Sequence, residues 1–147
     1  MGIQFDEREL TSSELALVSA GFAENAQKHG NPSETAERIT FVALNGESFV
    51  GCSSGLAYKR ARVYENGFFI TDLYVAAELR GTGVGSALLR QLESKVRTLG
   101  IATIWTWTAG FEAPDFYQKH GYEVFCEMED WYPSGHSRFG VRKRIAG

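Results

Sequence analysis

A glycine-rich turn between a strand pattern and a helix pattern is the most chemically specific feature of the chain. Residues 79–86 read Leu-Arg-Gly-Thr-Gly-Val-Gly-Ser, and helix-periodic apolar residues follow them. Glycines permit positive φ and let an anion approach the backbone closely. Amides at a helix start, with the positive end of the helix dipole, bind phosphate, and Arg80 can add a charge-assisted contact. The turn therefore predicts a phosphate site, although a turn of this composition can also be a plain connection.

Two other phosphate-binding motifs do not fit this turn. A P-loop requires Gly-Lys followed by Ser or Thr, whereas Gly85 is followed by Ser86 and Ala87. The dinucleotide fingerprint G-x-G-x-x-G needs a wider last interval than the even spacing of Gly81, Gly83 and Gly85. Both nucleotide-binding classes are therefore excluded by spacing.

Two segments of the chain resemble the GNAT superfamily of N-acetyltransferases. Residues 80–85 match its R-x-x-G-x-G motif, and residues 113–122 are similar to its A-x-x-F-Y-x-K-x-G-[FY] segment. The two segments lie in the family's order and at its usual separation. The stretch 133–138, Pro-Ser-Gly-His-Ser-Arg, also resembles the P-x-G-H-x-R ending of a small bacterial branch. The resemblance implies an acyl-CoA-dependent N-acyltransferase.

The resemblance also implies where acetyl-CoA, the acyl-donor cosubstrate, would bind. Its pyrophosphate would lie on the amides of residues 81–86, and its pantetheine arm would run along residues 73–75 like an added strand. The N–H of Val75 would face the acyl carbonyl, as an oxyanion donor worth about 3–4 kcal/mol in other acyl transfers. No metal is implied. The CoA-binding residues expected on this basis are Leu73, Tyr74, Val75, Arg80, Gly81, Thr82, Gly83, Val84, Gly85, Ser86 and Phe116.

Acetyl transfer to an amine changes the protonation of two groups, the attacking amine and the leaving thiolate. An alkylamine with a pKa near ~10.4 must lose a proton, and the leaving thiolate of CoA, with a pKa near ~8.5, must be stabilised or reprotonated. Tyr117 occupies the family's position for the second task. Asp72, just before the acyl site, is expected to bind the ammonium group or to take its proton through a water. Glu112, Glu65 and His136 are the other candidates for the base.

The function that the resemblance implies is transfer of an acetyl group from acetyl-CoA to a primary amine of a small molecule, by direct attack through a tetrahedral intermediate. A peptide or aminoacyl-tRNA amine as acceptor, and a non-catalytic acyl-CoA sensor, remain alternatives. The formal net charge of −3 argues against a nucleic-acid partner. Family analogy predicts a homodimer. The local support for a nucleic-acid partner is a basic cluster, expected on a solvated strand: Arg138, Arg142, Lys143 and Arg144.

Turn signals and apolar periodicity predict the elements in the first half of the chain. A capping box at residues 11–14 starts a helix that runs to about residue 30. Asn45-Gly46 predicts a hairpin between strands at 38–44 and 48–51. Residues 65–67, Glu-Asn-Gly, predict a second turn that leads into a strand at 68–75.

The second half of the chain changes to a strand–helix–strand pattern. Apolar residues at helical spacing predict a helix over 84–99 that Gly100 ends, followed by a strand at 101–108. Pro114 begins a short helix that Gly121 ends, and closing strands follow around 122–128 and 138–145. The predicted class is α+β (mixed α/β), with a GNAT-like central mixed, mostly antiparallel sheet flanked by helices. The resemblance adds that the central strands are splayed.

Length and composition predict one globular N-acetyltransferase domain over residues 1–147. No apolar run approaches the ~18 residues of a membrane span, and the acidic start lacks the features of a signal peptide. Cys52 and Cys126 are far apart and show no zinc-site spacing. These features predict a cytoplasmic protein with no membrane partner and reduced cysteines.

Overall fold

A division between Glu34 and Thr35 separates the chain into two units. The structure is a computed structural model that describes residues 2–112 and 114–145. In the first unit, helix α1 spans Ser12–Lys28. The capping box is formed as predicted: Glu14 N–H donates to Thr11 Oγ1 at 3.1 Å, and Thr11 N–H donates to Glu14 Oε1 at 2.8 Å. The assignment of residues 1–147 to a single N-acetyltransferase domain stays a prediction.

The strands and helices that follow α1 are β1 (Glu34–Asn45), β2 (Ser48–Arg60), β3 (Val63–Val75), α2 (Val84–Thr98), β4 (Thr103–Ala109), α3 (Pro114–Lys119), β5 (Glu123–Met128) and β6 (Arg138–Arg144). The six strands in the described part of the chain form one sheet with the order β1-β2-β3-β4-β6-β5. Strands β3 and β4 run parallel, while the β2–β3, β4–β6 and β5–β6 pairs are antiparallel. Helix α2 follows β3, and helix α3 follows β4. This confirms the predicted α+β class and its mostly antiparallel sheet.

One packed core joins the sheet to α2. Its fully buried side chains are Phe68, Ile70, Leu89, Leu92, Val96, Ile101, Ile104 and Val141. The helical spacing of the apolar residues in 84–99 therefore does mark the buried face of α2. The alternation predicted for β4 also holds, since Ile104, Thr106 and Thr108 are buried and the intervening residues are half-buried. Burial of such apolar side chains contributes about 1.5–3 kcal/mol each.

Strand β3 contains a β-bulge close to its end. Ser54 on β2 pairs with Asp72, but the next residue, Gly55, pairs with Ile70, so Thr71 has no partner across the ladder. An extra residue bends a strand and shifts its side-chain alternation. As a result Leu73, like Ile70, packs on the helix-covered side of the sheet.

The parallel strands β3 and β4 are paired over only a short length. Their register joins Gly67–Phe69 to Thr103–Trp105, although β3 continues to Val75 and β4 to Ala109. Just past the last pair, the Thr106 hydroxyl donates to the carbonyl of Ile70 at 2.8 Å. Beyond this bridge the strands diverge, as the family resemblance implies.

The turn predicted at residues 65–67 is wrong. Strand β3 begins at Val63, and the chain reverses at residues 61–62, where Ala61 has φ +55°. Asn66 and Gly67 are strand residues. Val63 and Tyr64 pair with β2, and Gly67 pairs with β4. On the β2 side the register passes from Lys59–Tyr64 to Ala57–Phe68, so residues 65–67 lie in an irregularity opposite Tyr58. The local preference of Asn-Gly is therefore accommodated inside the strand and does not reverse the chain.

Candidate active site

The glycine-rich turn adopts a conformation that its glycines make accessible. Gly81 and Gly83 have φ of +79° and +93°, a region that residues with a side chain rarely adopt. Gly83 is the N-cap of α2, so the first amides of the helix follow it directly. The Thr82 hydroxyl donates to the carbonyl of Leu79, which fixes the turn from within. The turn thus presents helix-start amides toward the space beside it.

A cavity of about 480 Å³ lies against this turn. Arg80 and Lys119 bring positive charge to it, and the Nε of Arg80 donates to the carbonyl of Val75 at 3.2 Å. The combination of helix-start amides and two cations suits an anion such as phosphate. The lining residues are Leu73, Val75, Leu79, Arg80, Gly81, Gly83, Gly85, Ser86, Phe116, Lys119 and His120.

His120 also borders this cavity, although it was not singled out from the sequence. Its Nε2 lies 2.9 Å from the hydroxyl of Ser86, and its ring packs on Phe116 with centroids 4.8 Å apart. The contact joins the end of α3 to the start of α2, 34 residues apart in sequence. No local pattern signals such a contact, since it depends on how the two helices pack.

The end of β3 presents backbone groups toward the gap between the diverging strands. Ala76 N–H donates to Val50 O at 2.7 Å, and Gly51 pairs with Val75. Hydrogen-bonded and non-hydrogen-bonded pairs alternate in an antiparallel ladder. The N–H groups of Leu73 and Val75 therefore point away from β2 and toward β4, whose pairing with β3 ends at Phe69.

Two further cavities continue along β3. One, of about 270 Å³, lies between the diverging strands, and the other, of about 590 Å³, lies beside the end of β3. Leu73 borders all three cavities, so they adjoin one another. The first is lined by Ile70, Thr71, Asp72, Leu73, Tyr74, Thr106, Trp107, Thr108, Glu112 and Tyr117, and the second by Leu73, Tyr74, Val75, Arg80, Phe111 and Glu112.

Tyr117 lies deep in the wall of the cavity between the strands. It is 6 % exposed, and its ring packs edge-on against Phe116 and Tyr122 at 5.5 and 5.3 Å. Burial, with a smaller contribution from the charge of Glu112, raises the pKa of Tyr117 to about 12. The phenol is therefore a fixed hydrogen-bond donor at neutral pH.

The structure separates the candidates for the base. Asp72 and Glu112 border the same cavity as Tyr117, and Asp72 accepts from the Thr71 hydroxyl at 2.9 Å. Glu65 forms an ion pair with Arg60 and borders none of the three cavities described above. His136 packs edge-on against Phe111, at 5.5 Å, in the loop between β5 and β6.

The structure brings most, but not all, of the expected CoA-binding residues to the cavities. Tyr74 borders the two cavities farther from the glycine-rich turn. Thr82 and Val84 border none of the three cavities. The Thr82 hydroxyl instead donates to the carbonyl of Leu79 within the turn. Among the three cavities, Lys119 borders only the one beside the turn and Asp72 only the one between the strands, whereas Arg80 and Glu112 both border the third.

Known proteins are similar to this chain in both sequence and fold. A family model described as an acetyltransferase (GNAT) domain matches residues 36–124. The chain is 39 % identical to a blasticidin-S acetyltransferase from Streptomyces morookaense over 64 residues. This aligned stretch covers 43 % of the chain and 46 % of that protein. It is 28 % identical to a streptothricin acetyltransferase from Streptomyces lavendulae, over 68 % of the chain and 52 % of that protein. The chain thus spans about half the length of these curated relatives.

A solved structure is similar over nearly the whole chain. The crystal structure of an acetyltransferase from Bacillus cereus ATCC 14579 superposes with a TM-score of 0.78 and 26 % identity, covering 95 % of this chain and 97 % of that one. No group of three or more side chains suited to a metal ion occurs among the described residues. None of the helices in the described parts of the chain is long and apolar enough to cross a membrane.

Proposed function

Since the chain belongs to the GNAT family of acetyltransferases, we propose that it transfers an acetyl group from acetyl-CoA to a primary amine of a small molecule. The observation that carries this proposal is the divergence of β3 from β4 next to the glycine-rich turn. It leaves strand amides facing a gap whose wall includes Tyr117, beside a turn that suits phosphate.

The residues of the cleft fit acetyl-CoA. Open space surrounds the positions that Cβ atoms would take at Gly81 and Gly83, so a phosphate can approach the turn closely. The amides of residues 81–86 would hold the pyrophosphate, with Arg80 and Lys119 adding charge. The edge of β3 at residues 73–75 would hold the pantetheine arm by backbone hydrogen bonds, as an added strand is held.

Two groups of the chain support the acyl-transfer step. The N–H of Val75, directed into the gap, would donate to the acyl oxygen as negative charge develops there. As the amine nitrogen bonds to the acyl carbon and the carbon–sulfur bond breaks, the Tyr117 hydroxyl would donate to the departing thiolate. A phenol with a pKa of about 12 lies about 3.5 units above a thiol, so full proton transfer would be uphill by about 5 kcal/mol. Tyr117 therefore acts by hydrogen bonding, and the thiolate takes its proton afterwards from solvent.

Asp72 and Glu112 would act on the acceptor. An alkylamine is almost fully protonated at neutral pH, so a carboxylate is needed to attract the ammonium group and to accept its proton. Both carboxylates border the cavity that Tyr117 lines. We assign the proton transfer to Asp72, through a water, and the attraction of the cation to both.

Two features favour a small-molecule acceptor over aminoacyl-tRNA. The relatives named above acetylate, by their names, blasticidin S and streptothricin. In the basic cluster of β6, Arg142 is bound to Glu123 at 2.9 Å and Lys143 to Glu93 at 3.3 Å. Half of that cluster is therefore neutralised within the chain. The homodimer and the cytoplasmic location stay predictions.

The test is thiol release from acetyl-CoA with a panel of amines, for wild type and Tyr117→Phe. We expect kcat to fall by at least about tenfold in the variant, as for loss of one charge-assisted hydrogen bond, with the Kd for CoA unchanged. Tyr64→Phe is the matched control, because Tyr64 donates to Glu37 at 3.0 Å and borders none of the three cavities. CoA binding without turnover of any amine would favour the sensor alternative, and no CoA binding would overturn the proposal.

A further inference from the structure

Arg138, the first residue of β6, is held over two tryptophan rings. The carbon of its guanidinium lies 4.8 Å from the ring centroid of Trp107 and 5.8 Å from that of Trp131. The residue is half-buried. Contacts of this kind between a guanidinium group and aromatic rings are attractive, so they restrict where the guanidinium group of Arg138 can lie.

Arg138 has no carboxylate partner in the part of the chain that the structure describes. No ion pair or hydrogen bond joins its side chain to another described residue. Its neighbours on the same strand differ, since Arg142 pairs with Glu123 and Lys143 with Glu93. The acidic stretch at 127–130 lies just before β6 in sequence, yet it supplies no partner. Five N–H donors are thus held in place with no protein acceptor.

Arg138 lies close to the cavity that is proposed to bind the acceptor amine. Trp107, the nearer of its two rings, borders the cavity that Asp72 and Tyr117 also line. The segment before Arg138 is tied to the end of β4 by the bond from Gly110 N–H to Ser137 O, at 2.8 Å. The guanidinium group therefore lies against a side chain that lines the proposed acceptor site, although Arg138 itself borders none of the three cavities.

We propose that Arg138 binds a carboxylate of the acceptor, so that the preferred acceptors are primary amines that also carry a carboxylate. This inference rests on the proposed function and narrows its substrate class. A planar guanidinium that is fixed in place matches a carboxylate through two parallel N–H···O bonds, a geometry that an ammonium group cannot reproduce.

The charges of the site complement such an acceptor at both ends. Asp72 and Glu112 provide negative charge where the ammonium group must lose its proton. Arg138 provides positive charge beside Trp107, which lines the same site. An acceptor with only an ammonium group would leave Arg138 unused, and an acceptor with only a carboxylate would have no nucleophile.

The experiment compares ω-amino acids of three to six carbons with their carboxamides as acceptors. In wild type we expect kcat/KM to favour the carboxylate by about tenfold, the effect of one hydrogen-bonded charged pair. Arg138→Gln should remove this preference through KM, with kcat and the rates for the carboxamides within about twofold. Arg138→Lys should be intermediate, because it keeps the charge but not the paired geometry.

Arg142→Gln is the matched control, since Arg142 lies on the same strand, over the ring of Phe125 at 5.2 Å, and has a carboxylate partner. It should keep the carboxylate preference. Equal use of acids and amides by wild type, or an unchanged preference in Arg138→Gln, would overturn the inference.

A binding measurement tests the role of Arg138 independently of whether the chain acetylates these amines. The same acids and amides are titrated in the presence of CoA and followed by tryptophan fluorescence, which reports on this site because Arg138 lies on two tryptophans. The acids should bind more tightly than the amides to wild type, and this difference should be lost in Arg138→Gln. If none of these amines is acetylated but the acids bind through Arg138, the catalytic proposal fails for these amines while the subsite is retained. If acids and amides bind equally, the subsite is rejected whatever the turnover.

Discussion

Tyr117 and Asp72 border the same cavity in different surroundings, and this difference decides what each can do. Tyr117 is buried, and loss of water raises its pKa to about 12. Asp72 is exposed and accepts from the Thr71 hydroxyl. Burial disfavours the ionised phenol, so Tyr117 keeps its proton at neutral pH. The proposed hydrogen-bond donor is therefore buried, whereas the proposed base is exposed to solvent.

The raised pKa of Tyr117 predicts how stability depends on pH. Between pH 10 and 12 the unfolded chain loses the Tyr117 proton and the folded chain keeps it, so the free energy of unfolding falls as pH rises through this range. Its contribution, up to about 3 kcal/mol, is fully present below pH 10. Urea unfolding of wild type and Tyr117→Phe from pH 8 to 12 measures it, and the variant should lose less stability over this range. Equal losses in the two proteins would contradict the assignment.

At the scale of the element, the start of α2 combines two glycines with different roles. Gly83 has φ +93°, so it serves the backbone conformation. Gly85 is helical, and a Cβ there would lie 3.4 Å from Val75 and 3.6 Å from Phe116, inside the cavity beside the turn. One glycine shapes the turn, and the other keeps the cavity open.

These roles predict that alanine at Gly83 lowers the free energy of unfolding, whereas alanine at Gly85 weakens CoA binding without lowering stability. Gly83→Ala should lower the free energy of unfolding by about 1–2 kcal/mol, because alanine is strained at positive φ. Gly85→Ala should leave stability unchanged or raise it by up to about 1 kcal/mol, since alanine is the better helix former, yet it should weaken CoA binding by narrowing the cavity. Thermal unfolding and calorimetric titration with CoA test the pair. A destabilised Gly85→Ala, or one with wild-type CoA affinity, would refute this account.

At the scale of the whole second unit, a buried polar group ties α2 to β6. Glu93 of α2 is 6 % exposed, accepts from the Tyr122 hydroxyl at 2.8 Å and pairs with Lys143 at 3.3 Å. A buried carboxylate is destabilising unless it is paired, so the three residues depend on one another. Tyr122 in turn packs against Tyr117. The network thus lies directly behind the proposed hydrogen-bond donor.

Removing one charged partner of this network should therefore lower the free energy of unfolding more than removing both charges. We expect Lys143→Met to lower the free energy of unfolding by about 2–4 kcal/mol, since it leaves the Glu93 charge buried. Adding Glu93→Gln should restore part of the loss, because the amide can still accept from Tyr122 and carries no charge. Urea unfolding of the two single variants and the double variant measures the coupling. Additive losses would show that Glu93 and Lys143 do not stabilise each other.

The family and the fold class were predicted from sequence and are confirmed. Both rest on local patterns: the glycine spacing of residues 80–85, the segment at 113–122, and the helical spacing that marks the buried face of α2. Capping, turn and periodicity rules act over a few residues, so they can be recognised without a structure. The turn predicted at 65–67 was wrong because the chain reverses at residues 61–62, and the Asn-Gly pair lies in an irregularity inside the β2–β3 ladder.

The sequence alone determined which residue types are available for chemistry, and the tertiary structure decided which of them meet. Tyr117, Asp72 and Glu112 share a cavity, whereas Glu65 is held by Arg60 away from it. The bulge at Thr71, the contact of His120 with Ser86 and the position of Arg138 over two tryptophans were not predicted. Each depends on contacts between segments far apart in the chain. Such contacts are set by packing and strand register, which no short stretch of sequence encodes.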